Sequence, residues 1–258
     1  MAPQAGSQSE VESGWRLKIT TNQISTARMS SKQEAIEQAL AKTNELRSSA
    51  VYGENLAFWQ RAWNMVKTPY TQLPDLPYIP WIPARLEERA AKRILDLGCG
   101  SGWLSIFLAR HHFQVTGVDI SENAIRLARE WAASEGLNIH FDVGDIAALD
   151  YPDGSFDGVV ANSIFEHFTL SLARVTLARL RKMLVPGGIF IGCFDMVGGG
   201  PGEYYELEDG THIYTDKGRK GMLLRCFSDQ ELNELFSDWQ ILELTTLASG
   251  SRFLVAHT

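Results

Sequence analysis

Apolar positions follow two rhythms along this chain, and the change between them divides it. From Arg93 onward, short apolar runs of strand length alternate with longer stretches of helical spacing. The strand-like runs are RILDL (93–97), QVTGV (114–118), IHFDV (139–143), FDGVVA (156–161), GIFIGCF (188–194), WQILEL (239–244) and RFLVAH (252–257). Helical stretches lie between them near 102–111, 121–134, 168–184 and 228–237. Ser121 and Ser228 stand where N-caps belong, and Pro186-Gly187-Gly188 is expected to stop the fourth helix. Strand–helix alternation of this kind predicts an α/β fold: a Rossmann-like, doubly wound, mainly parallel sheet covered on both faces. Segment 195–227 has no clear period and reads as a long, functional loop or flap.

Before Arg93 the texture differs. Residues 1–30 are polar and weakly periodic and read as a mobile tail, with a short extended piece at Trp15–Thr20. Ser31 and Glu34 have capping-box spacing ahead of a stretch of helix formers, Lys32 to Arg47. A second helix is expected from Glu54 to Val66. TPYTQLPDLPYIPWIP (68–83) holds five prolines, each of which removes a donor and restricts its predecessor, so an ordered extended loop is expected there. The division is thus a tail (1–30), an N-terminal helical and proline–aromatic cap (31–89) and an α/β domain (90–258).

Composition narrows the class. At 258 residues with 45% apolar content the chain is globular. Its charge, 24 − 31 = −7, opposes a surface built to grip phosphates, so nucleic acid is not an expected partner. No apolar run reaches the roughly 18–20 residues of a bilayer span, and MAPQAGSQSE lacks the basic start and apolar core of a signal peptide. Cys99, Cys193 and Cys226 are scattered and suit reduced thiols in a cytoplasmic protein. No ligand spacing for a metal is present.

The chemistry concentrates at strand ends. Ile94-Leu95-Asp96-Leu97-Gly98-Cys99-Gly100-Ser101-Gly102 is a strand running into three alternating glycines and then a helix. Such a turn lets a ligand approach the main chain, and in an open α/β sheet it lies at the ligand-binding end. Its G-x-G-x-G spacing is neither the dinucleotide G-x-G-x-x-G nor a phosphate-binding P-loop. Asp119 ends the second strand, where a carboxylate can accept from two ribose hydroxyls. Asp145 follows the third, placed to accept from an adenine amine, with Ile146 against the ring face; taken singly, each acid reads more plainly as a helix cap or a solvated loop residue. Then come FDGVVAN and a Pro-Gly-Gly before the fifth strand.

This ordered series resembles the class I S-adenosylmethionine-dependent methyltransferases, over roughly residues 90–258. The C-terminal stretch CFSDQELNELFSDWQILEL (226–244) is similar to small-molecule members of the tellurite-resistance and thiopurine kind. The resemblance implies a seven-stranded sheet with an antiparallel last strand and S-adenosylmethionine as cofactor, with S-adenosylhomocysteine as product. Asp96, Gly98, Cys99, Gly100 and Gly102 would line its methionine part, and Asp119 with Ile120 the ribose. Asp145 and Ile146 would take adenine, and Asn162 would lie near the transferable methyl. The expected partner is a small-molecule acceptor; its atom (nitrogen, oxygen, sulfur or a heavier chalcogen) is not legible. Nucleic-acid methylation and a non-catalytic cofactor-binding subunit are the alternatives.

His167, in NSIFEHF, is the candidate base, its ordinary pKa suiting proton removal near neutrality; a capping or packing histidine is the plainer reading. Tyr205 and Tyr214 in the flap are candidate acceptor-side residues, against a surface excursion with ordinary aromatic packing. Arg225 is either a partner for an acidic acceptor or a solvated arginine. Trp59, Trp63, Tyr70, Tyr78 and Trp81 either cap the site or bury the N-terminal helices.

Overall fold

The computed structural model describes residues 42, 44–69, 71–195 and 202–258. The chain divides at Ala39 into two units, and every described residue belongs to the second, Leu40–Thr258. The tail expected over 1–30, most of the helix expected over Lys32–Arg47, Tyr70 and positions 196–201 of the flap lie outside the described residues.

Helix α1 (Ala50–Asn64) starts four residues earlier than its apolar spacing suggested. Ser49 supplies the N-cap, its Oγ accepting from the Tyr52 amide at 3.2 Å. Helix α2 (Trp81–Glu88) overturns part of the extended reading of 68–83. Pro80 precedes the helix and Pro83 is its third residue, inside the first turn, where an N–H has no intrahelical acceptor and its absence costs little. Ile82, Pro83 and Leu86 are the residues it buries.

The sheet follows the predicted alternation: β1 (Arg93–Leu97), β2 (Gln114–Asp119), β3 (His140–Val143), β4 (Phe156–Asn162) and β5 (Leu184–Phe194). After three short strands, β6 (Tyr204–Glu206), β7 (His212–Tyr214) and β8 (Leu223–Leu224), come β9 (Gln240–Thr246) and β10 (Arg252–His257). The main sheet has the order β3-β2-β1-β4-β5-β10-β9. Pairings among β1 to β5 are parallel; β10 runs against both β5 and β9, so the last strand is the antiparallel one. Helices α3 (Trp103–Arg110), α4 (Glu122–Ser134), α5 (Leu170–Met183) and α6 (Asp229–Leu235) fill the connections. Ser121, Thr169 and Ser228 cap the last three, Ser228 in a reciprocal capping box with Glu231. Helix α5 ends at Met183, three residues before Pro186, which sits inside the long β5 where the pairing to β4 is irregular.

Alternate strand residues face two cores. Leu95, Leu97, Val159, Phe190 and Leu254 pack with α5 and α6 on one face. Ile94, Val160, Ile191, Phe253 and Val255 pack with α2 and α3 on the other. Burial on both faces explains why these strands read as near-continuous apolar runs. The strand order reverses between β1 and β4, and that switch point opens a crevice at their carboxyl ends. In 195–227 the structure has a small antiparallel sheet of β6, β7 and β8 where no period was legible. It is tied to the main domain just after β4: the Arg225 amide donates to the Glu166 carbonyl at 2.8 Å.

Candidate active site

The turn after β1 is built for close approach. Gly98 and Gly100 hold φ of 59° and 54°, a region side chains rarely enter. A Cβ on Gly98 would run into Ile164, and one on Gly100 would stand 2.6 Å from Cζ2 of Trp63. Asp119, at the end of β2, braces this turn: one carboxylate oxygen accepts from the Gly100 amide at 3.1 Å, the other from the Ser121 amide at 2.9 Å. Burial pushes its pKa up to about 6, against the pull of those two amides. Asp96 lies beneath the turn, 1% exposed, accepting from the Ser105 hydroxyl at 2.5 Å; burial pushes it up to about 7. It supports the turn from below and, like Gly102, does not line either cavity.

Two cavities meet above this frame. The smaller, about 180 Å³, gathers residues from four strand ends: Gly98 after β1, Asp119 and Ile120 after β2, Asp145 and Ile146 after β3, and Asn162, Ser163 and Ile164 after β4. Helix α1 roofs it with Tyr52, Asn55, Leu56, Trp59 and Trp63; His167 and Phe168 complete the wall. The larger, about 450 Å³, runs along Gly98, Cys99, Gly100 and Ser101 beneath Trp63, Gln72, Leu73, Pro74 and Trp103. Cys99 itself is buried, and desolvation holds its thiol protonated, well above the ordinary range.

Asp145 is already engaged. Its carboxylate accepts from the Tyr52 hydroxyl at 2.5 Å, the Arg47 Nε at 2.8 Å and the Ala147 amide at 2.9 Å. Burial and the neighbouring Asp145 charge drive the Tyr52 phenol far above its ordinary pKa, so it stays a donor. Asn162 accepts from the Tyr78 hydroxyl at 2.6 Å, and Tyr78 packs on Phe253. Ser163 sits at φ 53° and donates to Asp195, whose other oxygen accepts from Ser251 at 3.1 Å.

His167 occupies the far wall. Its Nδ1 is 2.9 Å from the Leu223 carbonyl, which can only accept, so Nδ1 carries the hydrogen and Nε2 the lone pair. The ring packs edge-on to Trp59, centroids 4.4 Å apart. Burial lowers its pKa, keeping the imidazole neutral near pH 7. The preceding Glu166 is buried and accepts from the Asp195 amide; its Oε2 has no partner among the described residues, and burial pushes it up to about 8.

Two expected residues are not brought to the site. Tyr205 is 47% exposed on β6, and Tyr214 is fully buried on β7 beneath the Arg219 guanidinium, 4.0 Å from its ring. Neither lines either of the two cavities, because the segment folds as its own small sheet. Arg225 is neither solvated nor ligand-facing: it is buried, bonded to Glu231 and to the Asp209 carbonyl. Of the cap aromatics, Trp59 and Trp63 face the cavities, whereas Trp81 packs on Phe253. Arg47, Tyr52, Asn55 and Leu56 went unrecognised in the sequence, although Tyr52, Leu56, Trp59 and Trp63 recur at helical spacing on one face of α1. Among the described residues no group of three His, Cys, Asp or Glu is placed to hold a metal, and no helix is long and apolar enough to cross a membrane.

Comparison with known proteins bears on this arrangement. Residues 94–188 match a family model described as a methyltransferase domain. The ajmaline N-methyltransferase of Rauvolfia serpentina is 37% identical over 101 residues, 38% of this chain and 31% of that one. The demethylmenaquinone methyltransferase of Thermus thermophilus is 37% identical over 103 residues, 39% of this chain and 46% of that one. The chain thus spans less than half the length of these two curated relatives. A solved S-adenosylmethionine-dependent methyltransferase of Methanosarcina mazei is 26% identical, with a TM-score of 0.53 over 64% of this chain and 92% of its own.

Proposed function

We propose that the chain, whose residues 94–188 match a methyltransferase domain and whose fold is similar to that of an S-adenosylmethionine-dependent methyltransferase, moves the methyl group of S-adenosylmethionine to a small organic acceptor. One observation carries the reading: the glycine turn and the ends of β2, β3 and β4 converge on one crevice at the switch point, roofed by α1. The residues fit that cofactor. Gly98 and Gly100 put bare backbone on the cavity walls, Asp119 offers a buried acceptor for ribose hydroxyls, and Ile120 and Ile146 line the same cavity as Asp145. Asp119 does double duty in this reading, bracing the turn and receiving the ribose. Adenine would meet Asp145 once Tyr52 and Arg47 yield part of its carboxylate.

The bound cofactor supplies an electrophilic methyl on a sulfonium. The protein's own task is alignment and the exclusion of water, which needs no acid–base pair. Where the acceptor holds a proton, His167 takes it at Nε2, with Nδ1–H fixed by the Leu223 carbonyl. Leu56, Trp59, Ile164 and Phe168 give the acceptor side an apolar, partly aromatic wall. That wall, the net charge of −7 and the ajmaline and demethylmenaquinone methyltransferases among the relatives support a small acceptor over a nucleic acid.

Calorimetric titration with S-adenosylmethionine and S-adenosylhomocysteine, with NADH as control, tests the cofactor. Micromolar binding of the first two and none of NADH is expected. Asp119→Ala should weaken the nucleoside interaction by about 1–3 kcal/mol. Unchanged affinity in that variant removes Asp119 from the site, and absence of binding by folded wild-type protein removes the cofactor assignment.

A further inference from the structure

The two cavities above the sheet touch at one place. The larger follows the glycine turn; the smaller runs from Gly98 past Asp119 to His167. Gly98 and Trp63 line both. On the methyl-donor reading above, the donor's amino-acid part lies along the turn and its nucleoside reaches Asp119. Its sulfur joins those two parts and therefore falls at the junction. Gly98 offers only backbone there; Trp63 offers an indole.

Trp63 is held to this position from two sides. The Asn123 side chain, on α4, donates to the carbonyls of Trp63 at 2.7 Å and Val66 at 2.9 Å, anchoring the last turn of α1. The six-membered ring lies against Gly100, where a Cβ would stand 2.6 Å from it, so the missing side chain at Gly100 makes room for the indole.

We propose that Trp63 is a charge-selective residue: its π system attracts the sulfonium of the methyl donor and gives nothing comparable to the neutral thioether of the demethylated product. Apolar contact alone cannot make that distinction, because donor and product share nearly the same surface. A wall of leucine would favour the neutral thioether, because only the sulfonium loses charge hydration against it. Trp63 therefore sets the preference between charged and uncharged cofactor, and touches neither ribose nor adenine selectivity. This inference rests on the cofactor assignment above.

The test is a ratio of affinities. Wild type, Trp63→Leu and Trp63→Phe are titrated calorimetrically with S-adenosylmethionine, S-adenosylhomocysteine and an analogue bearing an ammonium in place of the sulfonium. Trp63→Leu should lose about tenfold in affinity for both cations relative to the thioether. Trp63→Phe should keep most of that preference. An equal loss for all three ligands, or no change in the ratio, overturns the proposal. Should Trp63→Leu fail to fold, fluorinated tryptophan at position 63 keeps the shape and weakens the π face. The preference must then fall with fluorination, and constancy sinks the idea. Failure of wild type to bind any of the three instead overturns the cofactor assignment, and the inference with it.

Discussion

His167 owes its behaviour to its surroundings more than to its identity. The Leu223 carbonyl fixes the tautomer, and burial against Trp59 lowers the pKa, so the lone pair on Nε2 is available across neutral pH. His167→Ala should cut turnover by about 10²–10⁴ for an acceptor that loses a proton, while leaving S-adenosylmethionine affinity unchanged by calorimetry. The acid limb of the rate profile should fall below the ordinary histidine value of about 6.5, because the depressed pKa keeps the proposed base neutral until lower pH. A limb at or above that value contradicts the geometry. At this scale the sequence was informative where position along a strand dictated chemistry: Asp119, Asp145 and Asn162 all stand at or just after strand ends. It was uninformative for Tyr205 and Tyr214. Residues there sit in strands of three, too short for alternation to declare which face they present.

Helix α1 is the element that completes the crevice. Tyr52 and Arg47 reach from this N-terminal region to Asp145, so the roof is pinned to the β3 end by charge-assisted bonds. Tyr52→Phe should destabilise the fold by about 1–3 kcal/mol, since a partly buried carboxylate loses a donor. It should also quicken hydrogen exchange across Ala50–Asn64, measured by mass spectrometry, with β1 and β4 unaffected. Uniform loss of protection through the sheet would mean that the contact supports the core and not the roof. The strands of the main sheet and the four helices after Arg93 were legible because two-sided burial and amphipathic spacing leave strong periodic signals. The roof was less so. Helix α2 hid behind Pro80 and Pro83, which terminate helices everywhere except at the start. The beginning of α1 was set by the Ser49 cap and not by an apolar position.

Across the whole molecule, one buried residue, Glu166, links the main sheet to the small one. Glu166 accepts from the Asp195 amide at the end of β5, and its own carbonyl accepts from Arg225 beside β8. Burial raises it from 4.5 to about 8, so it is protonated in the fold over a range where the unfolded chain is ionised. The stability this confers is full below the unfolded value and lost as pH rises through the folded one. Thermal or denaturant melts of wild type against Glu166→Gln should therefore diverge between about pH 4.5 and 8. Wild type should lose up to ~1.4 kcal/mol per pH unit relative to the variant, one proton's worth of linkage. Parallel stability curves across that window would show that Glu166 is ionised in the fold.

The engagement of Asp145 by Tyr52 and Arg47 also shapes the heat of binding. In the proposed binding mode an adenine amine arriving at that carboxylate exchanges one donor for another and adds no new bond, so little net enthalpy would come from the most polar end of the nucleoside. The favourable balance has to come from apolar surface, Ile120, Ile146 and the face of α1, closing around the ring. Calorimetry at several temperatures should accordingly show a modest enthalpy near 25 °C that grows more negative on warming, the negative heat-capacity change of water leaving apolar surface.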